Sequence, residues 1–282
     1  MFSRLRLLPH LTLNSRVTLT SSRTFARAMS QKTLFEAIKE DHEEMYEYHD
    51  QYKRAHEKGD VDAQARWANQ LRWEIARHAV GEEIVVYPLM EKHLGEKGKK
   101  LADHDRAEHQ TVKEELYELE GLQPGSTEFD SLLTKMMASL HHHNDDEEVE
   151  DLPLLEPAIG IQASKEAAQS FKKTKKFVPT RAHPDAPNKP PYETLVGFLA
   201  MPVDRLRDTF ASFPKEEEMK GAKEELKHLV KKRDASQLKR SHSRRGRPFK
   251  KERRSKKEKR FKKEKGFKNK GGFKEREAIQ EG

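Results

Sequence analysis

Two stretches of this chain, His78–Gly95 (HAVGEEIVVYPLMEKHLG) and His143–Gly160 (HNDDEEVEDLPLLEPAIG), align without a gap. They match at His78/His143, Glu82/Glu147, Glu83/Glu148, Pro88/Pro153, Leu89/Leu154, Glu91/Glu156 and Gly95/Gly160. Each copy carries a His and, four residues on, a Glu, a spacing that on a helix puts both side chains on one face, one turn apart. Upstream of each copy lies another His in an acidic setting, His42 in DHEEM and His109 in EHQTV. The order His, then His-x-x-x-Glu, therefore occurs twice, which is the pattern of a duplicated metal half-site.

Apolar periodicity places these motifs on four amphipathic helices. Over 31–57, Leu34, Ile38, His42, Met45, His49 and Tyr52 recur at three- and four-residue steps, and Gly59-Asp60 ends the run. A second helix from about Val61 to Leu94 carries Leu71, Ile75, His78, Glu82, Val85 and Leu89; Pro88 is expected to kink or end it, with Gly95 and Gly98 closing the turn. A third, about 99–120, carries Leu101, Asp105, His109, Val112, Leu116 and Leu119. After the GLQPGST loop a fourth carries Phe129, Leu132, Met136, Leu140, His143 and Glu147, and Pro153 and Pro157 are expected to terminate it. Four such helices joined by short loops favour an all-α, antiparallel up-down-up-down bundle.

His42, His78, Glu82, His109, His143 and Glu147 all fall on the apolar stripes that should face the interior. A buried ionised carboxylate is costly unless it is paired or binds a metal. For any one of these residues, a hydrogen-bonded core histidine or a surface i, i+4 contact is the commoner explanation. Two gapless copies, with a further His on each remaining helix, shift the balance to a metal site. Phase also chooses among His141, His142 and His143, because only His143 shares a face with Met136, Leu140 and Glu147. His49 lies two turns from His42 and in phase with it, an outer-site candidate; His56, His93 and His104 are expected to be solvated.

Composition sets the chemistry available. The chain has no cysteine, so disulfides and thiolate sites are excluded, and imidazole with carboxylate suits iron, manganese or zinc. No apolar run approaches the roughly 18–20 residues that span a bilayer. The net charge of +8 conceals three regions: 1–34 carry six basic and no acidic residues, 35–230 carry 27 basic and 41 acidic, and 231–282 carry 23 basic and seven acidic. Residues 1–29, rich in Arg, Ser, Thr and Leu, have the composition of a mitochondrial presequence, although Met29-Ser30 is also a possible start for a cytosolic form. Residues 30–160 then form the bundle. In 161–232 a short helix, a Pro-rich stretch (177–193), an apolar segment (Thr194–Phe213) expected to pack back on the bundle, and a charged exposed helix (Lys215–Lys232) follow. Residues 233–282 are expected to be a disordered basic tail. Its Arg244-Arg245-Gly246-Arg247-Pro248 resembles an AT-hook core, and Phe249, Phe261, Phe267 and Phe273 are interleaved with cations. Charge of this kind supports non-specific nucleic-acid or other anionic partners, or nuclear import.

EDHEE at 40–44, His78-x-x-x-Glu82, DRAEHQTVKEELYEL at 105–119 and His143-x-x-x-Glu147 together resemble the haemerythrin HHE cation-binding domain, over roughly residues 32–157. The stretch at about 171–214 is similar to an extension of fungal members. The resemblance implies a four-helix bundle around a non-haem di-iron centre. It implies that His42 and His78 ligate one iron and His109 and His143 the other, bridged by Glu82, Glu147 and an oxo or hydroxo group. Oxygen-carrying haemerythrins have His-x-x-x-His on the third helix; here the residue four before His109 is Asp105, which could serve as an additional carboxylate ligand. The expected function is metal binding, with iron or oxygen binding, sensing or stress protection, and dioxygen or peroxide as the small ligand. The alternatives are a di-iron enzyme reducing peroxide or nitric oxide, and a nucleic-acid-associated protein acting through residues 234–282.

Overall fold

A computed structural model describes residues 31–245; the expected presequence and the stretch from Gly246 onward lie outside the described residues. The elements are α1 (Leu34–Glu57), α2 (Val61–Glu120), α3 (Thr127–Asp146), a π-helical turn (Glu147–Asp151), α4 (Leu152–Ile159), α5 (Ile161–Thr174), α6 (Tyr192–Asp208) and α7 (Glu216–Arg245). No strand occurs among the described residues, as the periodicity requires. The starts of α1, α2 and α3 are capped by side chains that satisfy otherwise unpaired N–H groups. Thr33 and Glu36 form a reciprocal capping box on α1, Asp60 accepts from the Ala63 N–H of α2, and Ser126 accepts from the Phe129 N–H of α3.

The expected break at Pro88 does not occur. Helical geometry passes through Pro88 and fails only at Gly95 (φ 59°, ψ −135°), so α2 consists of two arms, 61–94 and 96–120. Proline deletes one hydrogen bond and crowds one carbonyl, which a well-packed helix survives; a left-handed residue reverses the chain, and glycine adopts it without steric cost. Nor do Pro153 and Pro157 end the fourth helix. The widened turn at Glu147–Asp151, where the Leu152 N–H donates to the Glu147 carbonyl, carries α3 into α4, and Gly160 (φ 80°) is the stop.

Contacts between the long segments run in opposite order along each pair. Against α1, His42 meets His78 while Tyr48 meets Trp67. Against α3, Tyr52 meets Phe129 while Tyr46 bonds Asn144. Within α2, Arg106 pairs with Glu91 and Lys113 with Glu83. These neighbours are therefore antiparallel. The core they enclose is divided in two. One apolar cluster contains Met45, Tyr48, Trp67, Leu71, Ile75, Leu116, Phe129, Met136 and Leu140. The other contains Leu34, Ile38, Val86, Tyr87, Met90, Ala102, Leu152 and Leu155. On every long segment the His or His-x-x-x-Glu motif lies in sequence between members of the two clusters, so the polar side chains form a layer between two apolar plugs.

α5 packs back on this bundle, with Phe171 buried in the second cluster and its ring against Gly81. The stretch Thr194–Phe213 meets the bundle at its end, where the Phe213 ring lies against Trp73 at 6.5 Å, while the later part of its apolar pattern faces outward. α6 is one helix whose Leu199, Val203 and Leu206 are exposed, as is Phe210 just past its end, at 86%. The buried residue is Asp204, which accepts hydrogen bonds from the Thr180 and Arg181 N–H groups and pairs with His183. A buried acid with three donors outweighs a short apolar stripe as an anchor. Nor is the charged helix wholly exposed: Ala222 of α7 is buried and Met219 packs against the first cluster. The chain divides into two units, residues 1–226 and 227–282. In the second, the described part continues α7, helical as far as Arg245.

The reversal at Gly95 brings Gly98 against α2's own earlier turns, where an added Cβ would lie 2.0 Å from the Met90 carbonyl oxygen. Backbone cannot yield as a flexible side chain can. Gly98→Ala is therefore expected to destabilise the fold by about 1–3 kcal/mol in urea unfolding. Gly121→Ala, whose new methyl would meet nothing closer than 3.5 Å, should be near neutral.

Candidate metal centre

His42 comes from α1, His78 and Glu82 from the first arm of α2, His109 from its second arm, His143 from the end of α3 and Glu147 from the π turn. All six are buried, at 2% exposure or less. The imidazoles converge in two pairs through their Nε2 atoms, His42 with His78 at 3.1 Å and His109 with His143 at 3.0 Å. Each glutamate reaches both pairs. Glu82 places Oε1 3.1 Å from His78 Nε2 and Oε2 3.5 Å from His109 Nε2. Glu147 places Oε2 3.6 Å from His42 Nε2 and Oε1 3.7 Å from His143 Nε2.

These are gatherings of electron-pair donors rather than hydrogen bonds. Both Glu82 oxygens and Glu147 Oε2 are buried without a hydrogen-bond partner. An unpartnered buried carboxylate oxygen is among the most costly groups in a protein interior. A cation would satisfy this donor set. Neutral imidazoles and carboxylates on both sides of one layer match the ligand chemistry of divalent metals, and two overlapping groups could each hold an ion: His42, His78, Glu82 and Glu147, and Glu82, His109 and His143.

Each imidazole's other nitrogen is engaged by a carboxylate from a neighbouring segment. His42 Nδ1 faces Glu148 at 3.2 Å, His78 Nδ1 faces Asp41 at 3.2 Å, His109 Nδ1 faces Glu83 at 3.2 Å and His143 Nδ1 faces Glu108 at 2.8 Å. An Nδ1–H donated to such a carboxylate orients the ring and leaves the Nε2 lone pair directed at the centre. These four acids were missed as site residues, yet each is the sequence neighbour of a predicted one: Asp41-His42, Glu82-Glu83, Glu108-His109, Glu147-Glu148. Behind each carboxylate is a cationic or imidazole side chain: Lys39 at Glu148, Lys175 at Asp41, Lys113 at Glu83 (2.5 Å) and His104 at Glu108 (3.6 Å). His104, expected to be merely solvated, is exposed but belongs to this outer layer.

The other expectations divide. His142 is exposed beside Asp146, and His141 stacks on Tyr46 at 3.7 Å, so the phase argument for His143 agrees with the geometry. His49 is not among the converging groups. Asp105 is 2% exposed, groups with Glu108 and His143, and has Oδ2 unpartnered. Tyr87 was read only as part of a helix, yet its hydroxyl is 3.1 Å from His109 Nε2 and 3.4 Å from Glu147 Oε1. Nothing in the pattern distinguishes it from a core aromatic.

Without a metal, protons and internal ion pairs carry the charge. Burial opposes a proton on His78, but the Glu82 and Asp41 charges outweigh it and hold the imidazolium up to about 10. His143 is likewise opposed by burial and raised to about 9 by Glu147 and Glu108. Burial pushes the Glu82 carboxyl up, but the His78 charge prevails and brings it to about 2. Glu147 rises well above its ordinary range through burial and the like charge of Glu82. Burial, reinforced by Asp151, takes Asp105 to about 8.

The class this fold defines is a helical bundle enclosing a dry, paired His/Glu cation site. The description "Hemerythrin HHE cation binding domain" matches residues 33–155. An uncharacterized hemerythrin-like protein of Schizosaccharomyces pombe (strain 972 / ATCC 24843) is 48% identical over 179 residues, covering 64% of this chain and 87% of the relative. No solved structure gives a significant match. The chain belongs to the haemerythrin HHE family.

Metal uptake must displace the protons held on His78, His143 and Glu147, because only deprotonated donors coordinate. Adding a divalent metal in weak buffer at about neutral pH is expected to release acid. Apparent affinity should fall as pH falls from about 8 to 6; pH-independent uptake would contradict the protonation scheme.

Proposed function

We propose that the chain is a non-haem di-iron protein that binds iron together with a small oxygen species, for sensing or protection. In this reading His42 and His78 hold one ion, His109 and His143 the other, and Glu82 and Glu147 bridge them. One observation carries it: each glutamate directs one oxygen to each histidine pair. A single closed site would not need two carboxylates that both face two ways. Iron rather than zinc or manganese is supported by membership of the family, while the donor set without thiolate fits all three. When bound, the metals would supply Lewis acidity and redox capacity. The chain supplies the dry layer, the ring orientation through the Nδ1 carboxylates, and a Tyr87 phenol kept protonated by burial and aimed at the His109 side.

A second reading, an enzyme reducing peroxide or nitric oxide with the same centre, is favoured by Asp105. Asp105 is a buried acid grouped with His143 and has one oxygen without a hydrogen-bond partner, a placement suited to passing a proton at the centre. Asp105 also stands where the oxygen carriers have a histidine, which favours chemistry other than reversible dioxygen carriage. Rapid mixing of the iron-loaded chain with hydrogen peroxide separates the two readings: repeated turnover indicates the enzyme, a single oxidation the binding protein. For residues outside the described range, we propose mitochondrial import through 1–29 and non-specific anionic contacts through the basic tail; both rest on composition alone.

Anaerobic loading of the full chain with ferrous iron is expected to give two irons per chain, and the oxidised protein the absorption of a bridged pair. Less than one metal per chain would end the reading. His78→Ala or His143→Ala should lower both iron content and the thermal midpoint of the loaded protein, since a metal that binds only the folded state stabilises it.

A further inference from the structure

The four Nδ1 carboxylates are not all supported from the same source. Lys39, Lys113 and His104, which stand behind Glu148, Glu83 and Glu108, belong to α1 and to the second arm of α2, inside the domain matched at 33–155. Among the described residues, no bundle lysine or arginine forms an ion pair with Asp41; the Arg77 guanidinium is near enough to feel its charge but pairs with Glu74. The cation at Asp41 is Lys175, one residue past the end of α5 and outside the matched range. The Lys175 side chain is buried, lies against Asp41, and also donates to Glu74 at 2.5 Å. One turn earlier on α5, the Phe171 ring meets the His78 imidazole edge-on with centroids 5.6 Å apart. That approach requires a glycine beneath it: a Cβ on Gly81 would lie 2.8 Å from the Phe171 ring. Gly81 is the residue before Glu82, so α5 sits directly over the His78-x-x-x-Glu82 turn. The backbone carbonyl of Lys175 is itself fixed by the Arg77 Nε–H at 2.7 Å, beside His78 in sequence.

We infer that α5 is a wall of the metal centre, in which Lys175, acting through Asp41, and Phe171, acting by ring contact, are positioning residues for His78. The inference rests on the di-metal reading and adds a consequence to it. The two ions depend unequally on the extension, because among the described residues none of His42, His109 and His143 is contacted by it. Asp41 deprived of Lys175 would be a half-buried carboxylate free to turn away from His78, and the His78 ring would lose its orientation while His109 and His143 kept theirs. Loss of an outer-layer partner of this kind weakens metal binding by about 10–100-fold.

The test uses the full-length chain loaded anaerobically with ferrous iron, with iron per chain and its release to excess ferrous chelator followed in time. Lys175→Met is expected to weaken one of the two ions by about 10–100-fold and leave the other at its wild-type rate. Lys175→Arg should restore much of the loss, and Lys172→Met, on the exposed side of α5, should change neither. Equal weakening of both ions would mark a merely structural role and overturn the inference, as would a Lys175→Met variant that releases both ions at wild-type rates. Should Lys175→Met fail to fold with Asp41 and Glu74 unpaired, Phe171→Leu, which keeps those ion pairs, is read by the same criterion. A wild-type chain that takes up no iron overturns the di-metal reading itself, and this inference with it; a wild-type chain holding two ions separates the two failures.

Discussion

Two carboxylates buried side by side, with most of their oxygens lacking a hydrogen-bond partner, are the constraint around which this protein is built. Glu82 and Glu147 lie between two apolar clusters, and three of their four oxygens have no hydrogen-bond partner. Such groups persist when charge of opposite sign is brought to them or, as burial and Glu82 do for Glu147, when a proton is kept on them. The surroundings answer in alternating layers. Four imidazoles face the glutamates, four carboxylates face the imidazoles from behind, and three lysines and a histidine face those carboxylates. Each layer orients the one inside it, so the Nε2 lone pairs are aimed by groups two shells away. A cation at the middle would complete the alternation.

The internal duplication makes this arrangement nearly two-fold, with local departures from symmetry. The first copy keeps regular helix through Pro88, whereas the second widens at Glu147–Asp151 just before Pro153. Tyr87 of the first copy projects a hydroxyl towards His109, and the position matching it in the second copy is Leu152. Four residues before His109 is the buried acid Asp105; four before His42 is Ile38. Both polar additions therefore lie on the His109/His143 side, and α5 covers the His78 side. A centre of two equal halves has become one with a protic side and a side closed by Phe171 and Lys175.

The extension also shows how a helix can be anchored by charge when its apolar pattern is not used. α6 carries an apolar stripe that the periodicity assigned to the bundle, but Asp204, with the Thr180 and Arg181 N–H groups and His183, is what ties it down. Periodicity reports which residues share a face, not which face the rest of the molecule covers. The same distinction explains the misplaced break in α2: proline and glycine both punctuate helices, but only packing decides whether a missing hydrogen bond is tolerated.

Residue spacing by itself determined the four long helical segments and the six polar residues of the centre, since a 3.6-residue period places them on interior stripes whatever the neighbours are. It also separated His143 from His141 and His142, for the same reason. Only the tertiary structure decided that each glutamate spans both histidine pairs, that Asp41, Glu83, Glu108 and Glu148 hold the rings, and that Tyr87 and Lys175 reach the centre. Those relations join side chains from different segments, up to 134 residues apart for Lys175 and Asp41. Local periodicity carries no information about distance across a bundle; the way the segments pack supplies it.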